Sequence, residues 1–302
     1  MLIYMTVTVI VMAGSIPMTL ARFNPIQMGQ GENNMLKFIG WAVVGYLSLI
    51  GVLYVTQRAQ MYFPDRSMPD RVPDGAKVIT TTTDDGLTLT HWFIPPASPD
   101  DPIILFFHGN AGHRGDRWEK TGPLRRAGFG LIIVDYRGYG GNPGKPTEEG
   151  LYQDGRSVID WVRNNQPDHN YVLYGASLGS AVAVKMGMEQ SDELAVVLEA
   201  PMTSALDIAE DQFWFVPVKH MMKDQFRSDQ RIDKINSPLL IIHGMEDTTI
   251  PIEYGMRLFE MADQPKESFW MPSAGHVNAY EQGAGPVVDD FIHRAKLGDI
   301  GD

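Results

Sequence analysis

Apolar positions in this chain fall into runs of two lengths. Near the N-terminus stand two long ones, Leu2 to Ala13 and Phe38 to Val55 (FIGWAVVGYLSLIGVLYV). From Val78 onward the runs shorten and are separated by polar turns. VITTTT, the turn Asp84-Asp85-Gly86 and LTLTHWFIPP read as a hairpin, an antiparallel entry to a sheet. Ile103 to Phe107, Leu131 to Val134, Tyr171 to Gly175, Leu194 to Leu198, Leu239 to Ile242 and Ser268 to Met271 read as further strands, the most apolar of them fully buried.

Between these runs the spacing changes to that of helices. Thr147 is an N-cap with Glu148 and Glu149 in the first turn, where the helix dipole favours anions, and Leu151, Val158 and Val162 then share one face. AVAVKMGM after Gly179, Ile252 to Met261 and Pro286 to Lys296 predict three more helices. Strand and helix in alternation predict an α/β fold, a mostly parallel central sheet with helices on both faces.

The run Phe38 to Val55 is uncharged, with Lys37 before it, Arg58 after it, and Trp41 and Tyr54 near its ends like interfacial aromatics. At 1.5 Å per residue it reaches about 27 Å, close to the lower limit for crossing a bilayer. The chain therefore divides into an N-terminal extension (1–34) holding the other apolar segment, a single transmembrane anchor (35–57) and a catalytic domain (58–302). A buried helix of the domain is the competing reading of 35–57. The extension lacks positive charge before Arg22, so it does not open like a signal peptide. Basic residues stand on both sides of the span, which leaves its orientation undecided.

Composition narrows the chemistry. The net charge of -12 argues against nucleic acid or an anionic surface as an electrostatic partner. The absence of cysteine excludes disulfides, thiol nucleophiles and thiolate metal sites. Histidines are scattered without metal-ligand spacing, so neither a metal nor another cofactor is expected.

What remains is a serine. Tyr171 to Gly179 (YVLYGASLG) is an apolar strand breaking into G-x-S-x-G and then a helix, the context of a nucleophile elbow at Ser177. The strand Leu239 to Ile242 ends in HGMEDTTIP, carrying Asp247 beside its rival Glu246, and Ser268 to Met271 ends in PSAGH, carrying His276. The order Ser177, Asp247, His276 is that of one triad type and not of the chymotrypsin or subtilisin types. A serine hydroxyl is a poor nucleophile at neutral pH, so it needs an imidazole base and a carboxylate to orient that base. The loop His108-Gly109-Asn110 after the strand Ile103 to Phe107 supplies one oxyanion-hole N–H, at Asn110, and the residue after the nucleophile, Leu178, supplies the other. Asp135 and Arg137 are assigned structural roles, and the histidines other than His276 are read as structural or solvent-exposed.

A segment of about 202–236 carries Phe213, Trp214, Phe215, Val216, Met221, Met222 and Phe226. It reads as a short cap offering apolar surface to an acyl chain, or as a helix packing its apolar face on the sheet.

Taken together, Met61-Tyr62-Phe63-Pro64, FFHGNAGHR from Phe106, DYRGYGGNPGKPTEEGL from Asp135, YGASLGSAVA from Tyr174, HGMEDTTIP from His243 and AGHVNAY from Ala274 resemble the membrane-anchored α/β-hydrolases of the bud-emergence type and of α/β-hydrolase domain-containing protein thirteen. The resemblance covers the chain from about residue 55 onward. It implies an N-terminal span, Ser177 as nucleophile, Asp247 as acid, His276 as base and His108 to Asn110 as oxyanion loop. Many relatives have Ser at Asn142 and Asn-Asp at Val277-Asn278. The expected activity is serine hydrolysis of an ester or thioester with an apolar, lipid-like acyl part. An acyl-protein thioesterase or peptidase-like hydrolase is the nearer alternative, and a non-catalytic membrane scaffold the one from another class. Oligomeric state and physiological substrate are not legible.

Overall fold

The computed structural model describes residues 28–300. The apolar segment Leu2 to Ala13 lies outside them. The first element, α1 (Met28–Met61), is one continuous helix. It runs past both ends of the expected span because flanking Gln, Glu and Arg are good helix formers, while hydropathy marks only the apolar middle. Its stretch Asn33–Met61 is long and apolar enough to cross a membrane. Phe38, Trp41 and Val55 are exposed rather than packed.

From Val52 onward the chain forms a separate compact unit. A short parallel pair joins β1 (Phe63–Pro64) to a strand reached later in the chain, β5 (Ala111–Gly112). The main sheet begins with the hairpin β2 (Lys77–Thr82) and β3 (Thr88–Ile94), and β3 pairs antiparallel with β6 (Gly130–Ile133). The remaining strands are parallel: β4 (Ile103–Phe107), β7 (Tyr171–Ala176), β8 (Ala195–Glu199), β9 (Leu239–Gly244) and β10 (Lys266–Met271). Their order across the sheet is β10-β9-β8-β7-β4-β6-β3-β2. The expected α/β architecture, a mostly parallel sheet with helices on both faces, is the one observed.

Alternation along each strand feeds two cores. Ile103, Leu105 and Phe107 face one side with Ile132 and Val134; Ile104 and Phe106 face the other with Leu131 and Ile133. The first side is covered by α3 (Glu148–Asn165), α4 (Leu178–Glu189) and α7 (Ile252–Met261), through Leu151, Val158, Val182 and Leu258. The second is covered by α2 (Gly122–Arg126) and α8 (Ala284–Leu297), through Leu124, Val288, Phe291 and Ile292. Because neither face of the central strands meets water, they read as unbroken apolar runs. The edge strand β10 starts two residues earlier than its apolar run, at Lys266, since an edge tolerates half-exposed polar positions.

The segment 202–236 contains α5 (Ala205–Gln212), α6 (Val218–Met221) and two short 3-10 turns. Its apolar residues divide. Val218, Phe226 and Ile232 are buried, with Phe226 edge-on to Tyr62 and Tyr152, whereas Trp214 and Phe215 are exposed.

Candidate active site

Ser177 sits between the buried strand β7 and the first residue of α4, at φ 54 and ψ -122. A side chain in that region stores roughly 1–3 kcal/mol of backbone strain, which the surrounding packing must hold. The glycines explain how. A methyl group on Gly175 would fall on the Gly179 carbonyl, and one on Gly179 on the Phe107 carbonyl, so strand and helix close on Ser177 only because both positions lack a side chain. The turn is fastened by hydrogen bonds from the Ser177 N–H to the Glu199 carbonyl (2.9 Å) and from the Ser180 hydroxyl to the Ser177 carbonyl (2.6 Å).

Asp247 follows β9 and His276 follows β10, which places both at the same sheet edge as Ser177. His276 Nδ1 donates to Asp247 Oδ2 at 2.7 Å, and Nε2 lies 3.0 Å from Ser177 Oγ. A carboxylate only accepts, so the proton resides on Nδ1 and Nε2 is the acceptor facing the hydroxyl. Asp247 Oδ1 also accepts from the N–H groups of Thr249 (2.8 Å) and Ile250 (2.9 Å). Burial opposes ionisation of Asp247, yet hydrogen bonds from His243 and His276 outweigh it and hold the carboxyl below the usual range. Glu246, the rival acid, is exposed.

A cleft of about 140 Å³ opens beside Ser177, lined by Asn110, Arg117, Lys120, Glu199, His276 and Val277 among others. Asn110 is held by three bonds: its side chain donates to the Met61 carbonyl, and its carbonyl accepts from the Phe63 N–H and the Tyr139 hydroxyl, each at 2.8 Å. Leu178 opens α4, so its N–H is one of the four for which no intrahelical carbonyl exists. Gly109 passes so close that an added Cβ would stand 3.3 Å from the Ser177 Cβ. No residue of 202–236 lines this cleft.

Sequence reasoning missed Lys120 and Glu199. Glu199 is buried, accepting from Lys120 Nζ at 2.6 Å and from the Tyr174 hydroxyl at 2.9 Å. Nothing in the local sequence around either residue marks this pair, which joins positions 79 apart. Among the described residues no acidic or histidine cluster suits a metal ion.

Three of the remaining histidines hold structure. His243 Nε2 donates to the Ile250 carbonyl at 2.8 Å and lies 3.3 Å from Asp247 Oδ2, so it braces the acid loop from beneath. His108 Nδ1 is 2.6 Å from the Gly109 carbonyl. His91 is fully buried; its Nδ1 accepts from the Asp135 N–H at 3.1 Å and its Nε2 donates to Thr81 Oγ1 at 2.9 Å.

A family described as serine aminopeptidase, S33 matches residues 98–226. Protein MT2364 of Mycobacterium tuberculosis is 34% identical over 253 residues, 82% of this chain and 89% of its own length. The chain belongs to the α/β-hydrolase domain-containing family. Human protein ABHD12B shares 34% identity with this hydrolase over 191 residues, 57% of the chain and 52% of its own. An esterase of Pyrococcus furiosus superposes with a TM-score of 0.64 at 20% identity, over 78% of this hydrolase and 98% of the esterase, a likeness of fold.

Proposed function

We propose that this α/β-hydrolase is a serine hydrolase that cleaves carboxylic ester or thioester bonds of an apolar acyl substrate, tethered to a membrane by α1. The observation that carries the reading is the line Asp247, His276, Ser177, with contacts of 2.7 and 3.0 Å ending on a serine held at φ 54.

In this reading His276 Nε2 takes the Ser177 proton as Oγ attacks the acyl carbon, while Asp247 stabilises the resulting imidazolium. The carbonyl oxygen, now anionic, is received by the N–H groups of Asn110 and Leu178, each contributing roughly 3 kcal/mol to transition-state stabilisation. His276 returns the proton to the departing alcohol or thiol. Water, deprotonated by the same nitrogen, then releases the acid from Ser177.

The cleft at Ser177 is smaller than the roughly 300 Å³ typical of pockets that enclose a whole ligand. It therefore suits the reacting ester group and the first carbons of a chain, the remainder lying along the open surface. An acyl-protein thioesterase fits the same geometry, because a thiolate leaves at least as readily as an alkoxide. The motif resemblance to the bud-emergence type supports the tethered form of this reading.

The test is hydrolysis of p-nitrophenyl esters from acetate to decanoate, with the matching acyl thioesters alongside, using the full chain in detergent. Turnover that is lost in Ser177→Ala supports the assignment, and the better series names the leaving group. Absence of turnover on both series by a folded chain contradicts it and favours a non-catalytic membrane scaffold.

A further inference from the structure

Trp214 is 83% exposed, more than any other large apolar side chain among the described residues. It stands at the tip of the loop between α5 and α6, edge-on to Phe215 with centroids 5.8 Å apart, and Phe215 in turn is edge-on to Phe213 at 6.5 Å. The loop is not slack. Phe213 N–H donates to the Ala209 carbonyl, Val216 N–H to Phe213 and Met222 N–H to Val218, at 2.8–2.9 Å. An indole displayed on a tightly bonded turn forgoes a large burial gain unless something covers it.

The next turn of chain is bound to residues 54–58 of α1. Lys223 N–H donates to Gln57 Oε1 at 2.8 Å, and the Gln57 amide donates to the Met221 carbonyl at 3.4 Å. Arg58 grips Asp224 through two nitrogens, at 2.7 and 3.0 Å, and Lys223 Nζ lies 4.5 Å from the Tyr54 ring. These residues belong to the turn of α1 where the apolar run Phe38 to Val55 gives way to Gln57 and Arg58. In a chain anchored by α1, that turn is the boundary between hydrocarbon and water. Trp214 is seven residues from Met221, at most about 25 Å of extended chain, and here those residues are folded into turns and a short helix.

We propose that the Phe213-Trp214-Phe215 tip is a second membrane contact, seated in the interface of the leaflet from which α1 emerges. In the chain, exposed Glu210 and Asp211 precede it and exposed Lys219, His220 and Lys223 follow it, polar groups that suit the headgroup layer, the lysine stems apolar and their tips polar. With an overall charge of -12 the occupant is the interface itself, entered by aromatic burial, rather than an anionic surface bound by charge. The inference rests on the anchor reading of α1.

The chain has no cysteine, so a single nitroxide label can be placed by Trp214→Cys in the full chain, with Asp263→Cys, exposed between α7 and β10, as the reference. Both are reconstituted in phosphatidylcholine vesicles and washed with alkaline carbonate before electron paramagnetic resonance. The expected result is that the label at 214 collides with oxygen several-fold more, and with a water-soluble nickel chelate several-fold less, than the label at 263. Phe215→Cys, labelled the same way with Trp214 intact, is expected to behave as 214 does. Labels at 214 and 215 that meet nickel as freely as 263, in chains that survive the wash, overturn the inference and leave the anchor standing. Chains stripped from the vesicles by carbonate overturn the anchor reading and the inference with it.

Discussion

Two histidine–aspartate pairs lie at the ends of neighbouring strands, and only one faces a serine hydroxyl. His276 and Asp247 meet at 2.7 Å after β10 and β9; His108 and Asp135 stand 3.2 Å apart after β4 and β6. In the first pair the ring is partly exposed and its second nitrogen points at Ser177 Oγ. In the second both side chains are fully buried, the second nitrogen is taken by the Gly109 carbonyl, and Arg114 supplies Asp135 with its backbone N–H at 2.7 Å and a guanidinium nitrogen at 2.5 Å. Burial works against the Asp135 charge, but His108 and Arg114 outweigh it and hold the carboxyl below its ordinary range. The same chemical pair thus stands beside a serine hydroxyl at a cleft in one case and is locked in the core in the other. What separates them is whether the imidazole keeps a free acceptor beside a hydroxyl.

The sharpest way to break that distinction is to remove the reactive ring. His276→Ala is expected to lower kcat by about 10⁶-fold while the chain stays folded, measured by ester turnover beside circular dichroism. Asp247→Asn comes next. It leaves the ring in place but misdirects its proton, and a loss of about 10⁴-fold in kcat with little change in KM is the expected result. A KM effect alone would move Asp247 from proton chemistry to substrate binding.

The structural pair is expected to answer on a different axis. Arg114→Ala leaves Asp135 buried without its cation, at a cost of about 3–5 kcal/mol read from the urea midpoint, with kcat per folded molecule nearly unchanged. A large fall in kcat at unchanged stability would erase the contrast.

Taken per pH unit, the effect of His91 is the smallest. Burial pushes the His91 pKa down from 6.5 to about 3, so the unfolded chain takes a proton that the folded chain refuses. This contribution to stability is intact above about pH 6.5 and lost as pH falls toward about 3, with a slope of at most about 1.4 kcal/mol per pH unit. Urea titrations of the full chain at several pH values should show that slope, and His91→Gln should be less steep by up to one proton. Equal slopes would remove His91 from the pH response.

The distinction between the pairs was only half legible in sequence. The side chains that meet at the cleft lie just after apolar strands with elbow or loop signatures, and parallel pairing from β7 through β10 brings those loops to one edge, so Ser177, Asp247 and His276 could be named from local pattern. The structural partners could not. Arg114 and Asp135 are 21 positions apart, and Lys120 and Glu199 are 79 apart; which cation meets which buried acid depends on packing of loops, where periodicity carries no information. The ends of α1 were hidden for a related reason: hydropathy reports the apolar middle, and the helix continues into polar residues. In 202–236 the apolar residues looked alike, yet Phe226 became core and Trp214 surface, since short helices and turns give each residue its own direction.

The central claim is that Ser177 is activated by His276. It is tested most directly by reacting the full chain with a fluorophosphonate probe and locating the adduct by mass spectrometry. Stoichiometric labelling of Ser177 is expected, abolished in Ser177→Ala and nearly so in His276→Ala, with Glu246→Gln labelled like the parent. A folded parent chain that takes no label, or takes it at a serine other than Ser177, would contradict it.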